Sequence, residues 1–281
     1  MPEAMFLGIY REKVFSPGKV REDAAILNAT LDELSLAGYK TSAVEAENLK
    51  PISHNYTPSF VLTMAQSERP LNILEDWQKK GARIINSPSS IRNSYRRPLI
   101  SLLKKANLPM PPSQVIPLEM VEQKVSFERS TSYWLKRGDV HAMQDGDVVK
   151  VTSKEELNHA LNHFRRQEIK EILLQGHVDG EVIKFYGVGA GEYFKAFLAS
   201  SGDEVTSQVG HLSLLAYHSA KAVGLEIYGG DAIITQKGEI VLIDLNDWPS
   251  FWRCSASAAK RIAEYVKDIY EGGVNGISNA S

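Results

Sequence analysis

Two aspartates and an asparagine in the C-terminal part of the sequence have the residue types of a magnesium site. They are Asp231, Asp244 and Asn246, and they lie in or beside two apolar runs. Lys237-Gly238 separates these runs and predicts a two-residue hairpin turn, in which glycine supplies the positive φ. That register places Asp231 opposite Asp244, with the side chain of Asn246 on the same face of the sheet.

The predicted pairing has an electrostatic consequence. Two opposed carboxylates within apolar strands repel each other and lose hydration, so we expect a bound divalent cation to compensate them. An oxygen-only set of ligands suits Mg²⁺ held together with nucleotide phosphates, and Mn²⁺ is the alternative metal. A hairpin at a sheet edge with both aspartates solvated is the other interpretation, and a different register would separate the pair.

The residues around this hairpin resemble a known enzyme class. Asp244-Leu245-Asn246 is followed by Pro249-Ser250-Phe251, and this run resembles the metal-binding end of ATP-grasp enzymes. The segment from Gly224 to Asp231 is similar to the one that carries the other magnesium ligand of that class. The resemblance covers roughly residues 90–270. It implies an ATP-grasp fold and a phosphoryl transfer that depends on ATP and Mg²⁺.

The same resemblance implies a set of nucleotide-binding residues. Lys136 closes an apolar strand and matches the lysine that reaches the nucleotide phosphates, and Arg97 takes the place of another phosphate-contacting basic residue. The strand and bend that begin at Leu173 resemble the hinge that meets the adenine edge, where a glycine leaves room for the ring. The implied ATP-binding residues are Arg97, Lys136, Gln175, Gly176, His177, Val178 and Asp231. The loop after residue 137 is shorter and poorer in glycine than is usual in the class.

Three details of the sequence favour a kinase within this class. Most ligases of the class have Glu at the position of Asp244, whereas the inositol-phosphate kinases have Asp there, as this sequence does. Val140-His141-Ala142-Met143 is similar to a His-x-Met segment of the inositol-trisphosphate kinases, in which the histidine meets the acceptor. The run from Gln175 to Gly189 also resembles theirs. The resemblance therefore implies His141 and Lys184 as catalytic residues, although Lys184 could also be a lysine at a sheet edge that extends into solvent.

The acceptor is the least defined part of the predicted reaction. A kinase of a small anionic polyol is the main prediction, with Lys19, His141 and Lys184 as acceptor-binding residues. Lys19 lies in a basic loop that precedes a predicted helix, where an anion could bind, or it is a solvated surface residue. A carboxylate–amine or carboxylate–thiol ligase that acts through an acyl phosphate is the alternative, because ligases are more numerous in the class. A nucleotide-binding scaffold without catalysis is the third hypothesis.

The elements that must position these residues follow two patterns. In the first part of the chain, strand candidates at 5–10, 40–45, 60–64 and 83–86 alternate with helices, which predicts a small parallel sheet. Prolines 109, 111, 112 and 117 then predict a boundary near 107–118. Single helices at 153–168, 208–223 and 256–271 interrupt the remaining strands, which indicates antiparallel sheet. The predicted strands of this second part are 133–137, 147–151, 171–178, 181–188, 193–198, 226–236 and 239–246.

We therefore predict a fold of mixed α/β and α+β class. Residues 1–95 form an N-terminal α/β domain on the acceptor side, with a small parallel sheet of the kind that precedes an ATP-grasp domain. Residues 96–281 form the ATP-grasp domain, with a first subdomain at 96–170 and a central sheet with the metal hairpin at 171–281.

The composition excludes several classes of function. The 281 residues include 32 basic and 34 acidic side chains, a balance that argues against general nucleic-acid binding. A single cysteine excludes a disulfide framework and suits a reducing cytoplasm. No apolar run approaches the roughly 18 residues of a membrane helix, and no signal-peptide pattern is present. We expect a cytoplasmic protein that binds ATP and a small anionic acceptor, without nucleic-acid or membrane partners.

Overall fold

Residues 5–51, 58–128, 131–139 and 146–278 are described by the computed structural model. The N-terminal sheet has four parallel strands in the order β2-β1-β3-β4, as the alternation of strands and helices predicts. Helices α1 and α2 make the connections that parallel neighbours require. The bounds are β1 (Met5–Tyr10), α1 (Val20–Leu36), β2 (Lys40–Glu45), β3 (Phe60–Thr63), α2 (Glu68–Lys79) and β4 (Arg83–Ile85).

Two helices and a strand lead from this sheet into the second part of the chain, and none of the three is predicted from the sequence. They are α3 (Pro88–Asn93), α4 (Arg96–Lys105) and β5 (Ser113–Pro117). The prolines around residues 109–117 predict a boundary, whereas β5 is the edge strand of a sheet with Pro117 as its last residue. Proline is tolerated there because an edge position does not require every backbone N–H.

The middle sheet contains β5 and three further strands, all antiparallel, in the order β5-β8-β6-β7. Leu135 and Leu174 belong to the core beneath helix α5, on the outer face of this sheet. Strand alternation turns Lys136 and Gln175 to the inner face. The bounds are β6 (Tyr133–Arg137), β7 (Val148–Val151), α5 (Lys154–Arg166) and β8 (Glu171–Gly176).

The C-terminal sheet has four antiparallel strands in the order β10-β9-β11-β12, so β11 lies between β9 and β12. Helix α6 packs on one face through Leu212, Ala216 and Val223. Helix α7 continues to Ser278, beyond the predicted end at 271. The bounds are β9 (Glu181–Val188), β10 (Tyr193–Leu198), α6 (Val209–Val223), β11 (Ile227–Ile234), β12 (Ile240–Asp247) and α7 (Ser255–Ser278).

A single apolar core joins the N-terminal sheet to the C-terminal part of the chain. Phe6 and Leu27 are buried in the same cluster as Ile262 and Val266 of α7. The N-terminal sheet therefore completes its core with a helix from the far end of the sequence. No helix in the described ranges is both long and apolar enough to cross a membrane.

Candidate active site

The hairpin that carries the two aspartates has a longer turn than the sequence predicts. The backbone N–H of Thr235 donates to the carbonyl of Glu239 at 2.9 Å, so three residues separate the paired positions. Gly238, the last of these three, has a φ of +79°. The prediction of a two-residue turn is therefore wrong, although glycine occupies the left-handed position as expected.

A β-bulge on β12 restores the predicted pairing beyond the turn. Ala232 pairs with Leu242 and Asp231 pairs with Asp244, which leaves Ile243 as an extra residue. The opposition of Asp231 and Asp244 is confirmed. Because of the extra residue, Leu242 and Leu245 both pack into the core under α6. Asp244 consequently lies outside that core and faces the opposite side of the sheet.

One face of the C-terminal sheet gathers the predicted metal ligands with Lys184. The register places Lys184 of β9 and Asp244 of β12 on either side of Asp231. Asn246 pairs with Gly229, two residues from Asp231, so its side chain shares this face. A Cβ at Gly230 would overlap the backbone oxygen of Asp244. Glycine at position 230 therefore allows the backbone of β12 to approach β11 closely at Asp244.

Two cations of the protein compensate the aspartates. Lys184 Nζ lies 2.8 Å from Asp231 Oδ1, and Arg96 donates from a terminal nitrogen to Asp244 Oδ1 at 2.6 Å. Lys184 and Arg96 therefore already relieve part of the repulsion between Asp231 and Asp244, for which the sequence analysis expects a divalent cation. The case for a metal depends on the donor set and on the predicted phosphate-binding groups.

Arg96 belongs to the site although the sequence analysis selects its neighbour. Arg96 is only 3% exposed, whereas Arg97 is 56% exposed and pairs with Glu171. Arg97 does not line the cavity that contains the aspartates. The signal was present in the sequence, because Arg96 precedes Leu99, Ile100 and Leu103 at helical spacings on the buried face of α4.

Lys136 reaches from the middle sheet to the metal hairpin. Its Nζ donates to the backbone oxygen of Ile243 at 3.3 Å, beside the bulge. Burial lowers the pKa of Lys136, the nearby Asp244 opposes this shift, and Arg96 adds to it. An ammonium held in so little water gains from any anion that enters the cleft between the two sheets.

The predicted adenine hinge, Gln175 to Val178, lies at the end of β8, where Gly176 and His177 line a cavity different from the one that contains the aspartates. Gln175 is buried, and its Nε2 donates to Ser113 Oγ at 3.1 Å. The backbone N–H groups of Gly176 and His177 donate to the carbonyls of Pro112 and Ser132. A Cβ at Gly176 would meet Pro112 at 3.6 Å, an ordinary contact, so the surrounding protein does not require glycine there.

The imidazole of His177 is held in one tautomer. Trp134 Nε1 donates to His177 Nδ1 at 3.1 Å, so the hydrogen of the neutral ring is on Nε2. Nε2 lies 3.0 Å from Asp179 Oδ1 and can donate to it. Lys150 Nζ is 2.9 Å from the same nitrogen, and this contact is not a hydrogen bond in that tautomer. The hinge therefore has a fixed side chain beside Trp134.

The loop after β1, which is predicted to lie on the acceptor side, contributes residues to the cavity that contains the aspartates. Lys19 lies on this loop and lines a cavity of about 290 Å³ together with Arg96, Lys184, Asp231 and Asp244. Asn246 lines the same cavity. The structure thus brings Lys19 and Lys184, two of the predicted acceptor-binding residues, to one cavity. His141, the third, lies outside the described residues.

A buried hydrogen-bond network connects the N-terminal part of the chain to the end of β12. The sequence analysis did not identify this network. Gln66 donates to Asp247 Oδ1 at 2.8 Å, and Arg11 donates to the carbonyl of Trp248 at 2.7 Å. Burial raises the pKa of Asp247, whereas Arg11 opposes the shift. No sequence pattern points to Asp247, because alternation alone places it on the face opposite to Asn246.

The donor set fits a hard divalent cation. Asp231, Asp244 and Asn246 offer carboxylate and amide oxygens at one wall of the cavity, which is the ligand chemistry of Mg²⁺ held with phosphates. No group of three or more His, Cys, Asp or Glu side chains within the described ranges is placed to hold a metal. Two carboxylates with an amide leave coordination positions for phosphate oxygens and water.

Comparisons with known proteins identify the fold. No protein-family model and no curated protein matches the sequence. The RimK domain ATP-grasp protein of Sphaerobacter thermophilus is 15% identical, with a TM-score of 0.71 over 93% of this chain and 99% of that chain. D-alanyl-alanine synthetase A of Vibrio cholerae is 12% identical, with a TM-score of 0.71 over 95% and 97%. The ATP-grasp ligase PsnB, complexed with minimal precursor, Mg and ADP, is 14% identical, with a TM-score of 0.67 over 93% and 96%.

These similarities show that the chain has the ATP-grasp fold, as predicted. They extend over nearly the whole length of each compared chain, so the N-terminal parallel sheet is included. The further resemblance to inositol-phosphate kinases finds no support among these structures, two of which are a synthetase and a ligase.

Proposed function

We propose that this protein is an ATP- and Mg²⁺-dependent ligase that activates a carboxylate as an acyl phosphate and transfers the acyl group to an amine or thiol. One observation carries the proposal: Asp231, Asp244 and Asn246 line one cavity of an ATP-grasp fold, and Lys136 reaches the backbone oxygen of Ile243 next to Asp244. The synthetase and the ligase that share this fold favour carboxylate activation over phosphorylation of a polyol.

The residues of the cleft have separate roles in this proposal. Asp231, Asp244 and Asn246 would hold Mg²⁺, which would neutralise negative charge on the phosphates of ATP. Lys136 binds the phosphates from the middle sheet, while the carbonyls of the hinge and the N–H of Val178 meet the adenine edge. Arg96 fixes the carboxylate of Asp244, and Lys184 binds the carboxylate substrate beside the γ-phosphate.

The proposed reaction has two steps. A carboxylate oxygen of the substrate attacks the γ-phosphorus and ADP leaves. An amine or thiol then attacks the acyl carbon, inorganic phosphate leaves, and the nucleophile loses its proton. Positioning and charge neutralisation carry most of the catalysis in such transfers.

Kinase activity on a small anionic acceptor is the second candidate. Lys19, Lys184 and Arg96 around one cavity favour it, because three cations could hold a phosphorylated polyol as well as a carboxylate. The sequence feature that also favours a kinase is Asp244, which occupies the second metal position in place of Glu.

A hydroxylamine assay separates these functions. The enzyme is incubated with ATP, Mg²⁺ and hydroxylamine against a panel of small carboxylates and polyol phosphates. We expect ADP together with a hydroxamate for some carboxylates, because hydroxylamine traps an acyl phosphate. A stable phosphorylated product without hydroxamate would replace the ligase with the kinase. Absence of ATP consumption with every acceptor would favour a nucleotide-binding scaffold.

A further inference from the structure

Apolar side chains line part of the cavity that also contains the charged site. Trp252 is 53% exposed and lines the cavity, and exposed Val148 lines it from the middle sheet. Phe15, Pro17 and Pro249 line it as well. We refer to these five residues as the apolar rim. Large exposed apolar residues that gather at one site usually mark a contact with a ligand or partner.

The clustering is selective along the chain. Six large apolar side chains are exposed in the described ranges, and Trp252 and Val148 are two of them. Val14 and Val20 are two more, and they flank the loop that contributes Phe15 and Pro17. Two of the six therefore belong to the rim, and two more are near it in the sequence.

The segment that follows β12 restrains the side chain of Trp252. The guanidinium of Arg253 stacks on the indole with 4.3 Å between its carbon and the ring centroid. Phe251, just before it, has a φ of +51°, a conformation that costs energy for a residue with a side chain. A restrained aromatic ring loses little conformational entropy when a ligand packs on it.

The position of the rim limits what can occupy it. The cavity measures about 290 Å³, which is the size of a small-molecule site. Asp231, Asp244 and Lys184 line the same cavity, so an occupant that contacts the rim lies in the cavity to which the proposed function assigns phosphate transfer. The occupant is therefore the substrate itself, and Lys19 on the same wall offers a cation to its polar end.

We propose that the acceptor site takes an amino-acid-sized carboxylic acid with an apolar or aromatic side chain, and that Trp252 determines this specificity. The inference rests on the proposed ligase function. The carboxylate lies beside Lys184 and the metal ligands, and the side chain packs against Trp252 and Phe15. An acid without an apolar group forgoes this contact and binds more weakly.

The test measures binding, so it does not depend on turnover. Calorimetric titrations of the full-length protein with saturating Mg²⁺ and AMPPNP compare acetate with phenylacetate and alanine with phenylalanine. We expect the phenyl member of at least one pair to bind about tenfold more tightly to the wild type. Trp252→Ala should abolish most of that difference and Trp252→Phe should retain it. Leu214→Ala, on α6 and 56% exposed outside the cavity, is the matched control and should change nothing.

The possible results distinguish this inference from the ligase proposal. Equal binding within both pairs, no binding of any acid, or a preference that survives Trp252→Ala would overturn the role of the rim. Hydroxamate formation from acids without an apolar preference would do the same and leave the ligase intact. A binding preference that depends on Trp252, with no hydroxamate from any acid, would support the role of Trp252 in specificity. The same result would contradict the proposed ligase function.

Discussion

At the scale of residues, cationic side chains of the protein compensate the charges of the two aspartates before any ligand binds. Arg96 pairs with Asp244 and Lys184 pairs with Asp231, but the two pairs differ in burial. The Arg96 pair lies mostly away from water, whereas Lys184 and Asp231 are partly solvated. Loss of one partner costs more where the remaining charge stays buried.

Removal of the Asp244 charge should therefore cost stability as well as activity. Asp244→Asn keeps an oxygen for Arg96 but leaves the buried guanidinium without a counter-charge, so we expect a loss of about 2 kcal/mol. Asp231→Asn should cost under about 1 kcal/mol, because its pair is solvated. Both variants should lose turnover by about 100-fold or more. Urea unfolding and ATP turnover measure the two effects, and equal stability losses would contradict the difference in burial.

Lys136 provides a prediction with a defined pH dependence. Burial lowers its pKa from 10.5, so the folded chain binds this proton less tightly than the unfolded chain. The resulting destabilisation is complete below the lowered pKa and disappears as the pH rises towards the unfolded value. Lys136→Met should therefore melt above the wild type near pH 7, and the gap should narrow as the solution becomes alkaline.

The same substitution should remove nucleotide binding. Mg²⁺ and AMPPNP should raise the melting temperature of the wild type and leave that of Lys136→Met unchanged. Lys105→Met, an exposed lysine on α4, is the control and should respond as the wild type does. A Lys136→Met protein that is less stable than the wild type near neutral pH would show that the attraction of Lys136 to Asp244 outweighs the cost of its burial.

The choice between Arg96 and Arg97 shows how far residue-level patterns reach. Family resemblance placed a basic residue in this segment, and the helical spacing to Leu99 and Leu103 identifies which arginine is buried. The partnership of Gln66 with Asp247 could not be predicted in this way, because these residues are 181 positions apart in the sequence. Only the assembled fold brings them together.

At the scale of elements, the hairpin places its aspartates through two compensating offsets. The turn is one residue longer than predicted, and the bulge at Ile243 adds one residue to β12. The sequence predicts the pairing of Asp231 with Asp244 because these offsets cancel. Neither offset leaves a sequence signal, since Lys-Gly suits both turn lengths and an isoleucine suits a regular strand.

The longer turn makes a prediction about Gly238. Its φ of +79° is strained for any other residue, so Gly238→Ala should lower the free energy of unfolding by about 1 kcal/mol. Activity should be unaffected, because the turn does not line the cavity. Gly272→Ala, in helix α7, is the matched control and should stabilise by roughly 0.5–1 kcal/mol. Urea midpoints compare the two, and a stabilised Gly238→Ala would contradict the left-handed turn.

At the scale of the whole molecule, the cavity depends on three sheets at once. The N-terminal sheet supplies Gln66 from the loop after β3, the middle sheet supplies Val148, and the C-terminal sheet supplies both aspartates. Alternation of strands and helices predicts the parallel sheet and most strands. It does not predict that α7 returns to the N-terminal sheet, because the apolar face of a helix does not specify its partner.

The shared core predicts that the N-terminal segment does not fold alone. Residues 1–95 without α7 would expose Phe6 and Leu27, which pack in one cluster with Ile262 and Val266. We expect this fragment to be insoluble or to bind a hydrophobic dye without near-ultraviolet circular dichroism. The full chain should unfold in one transition. A soluble fragment with native-like dichroism would establish 1–95 as an independent domain.

The central claim is that Asp231, Asp244 and Asn246 bind Mg²⁺ together with ATP. The affinity for AMPPNP, measured by calorimetry with and without Mg²⁺, tests it without knowledge of the acceptor. We expect Mg²⁺ to tighten binding to the wild type by about tenfold or more, and expect this gain to vanish in Asp231→Asn and Asp244→Asn. An affinity that is independent of Mg²⁺ in the wild type, or a gain that persists in both variants, would contradict the account.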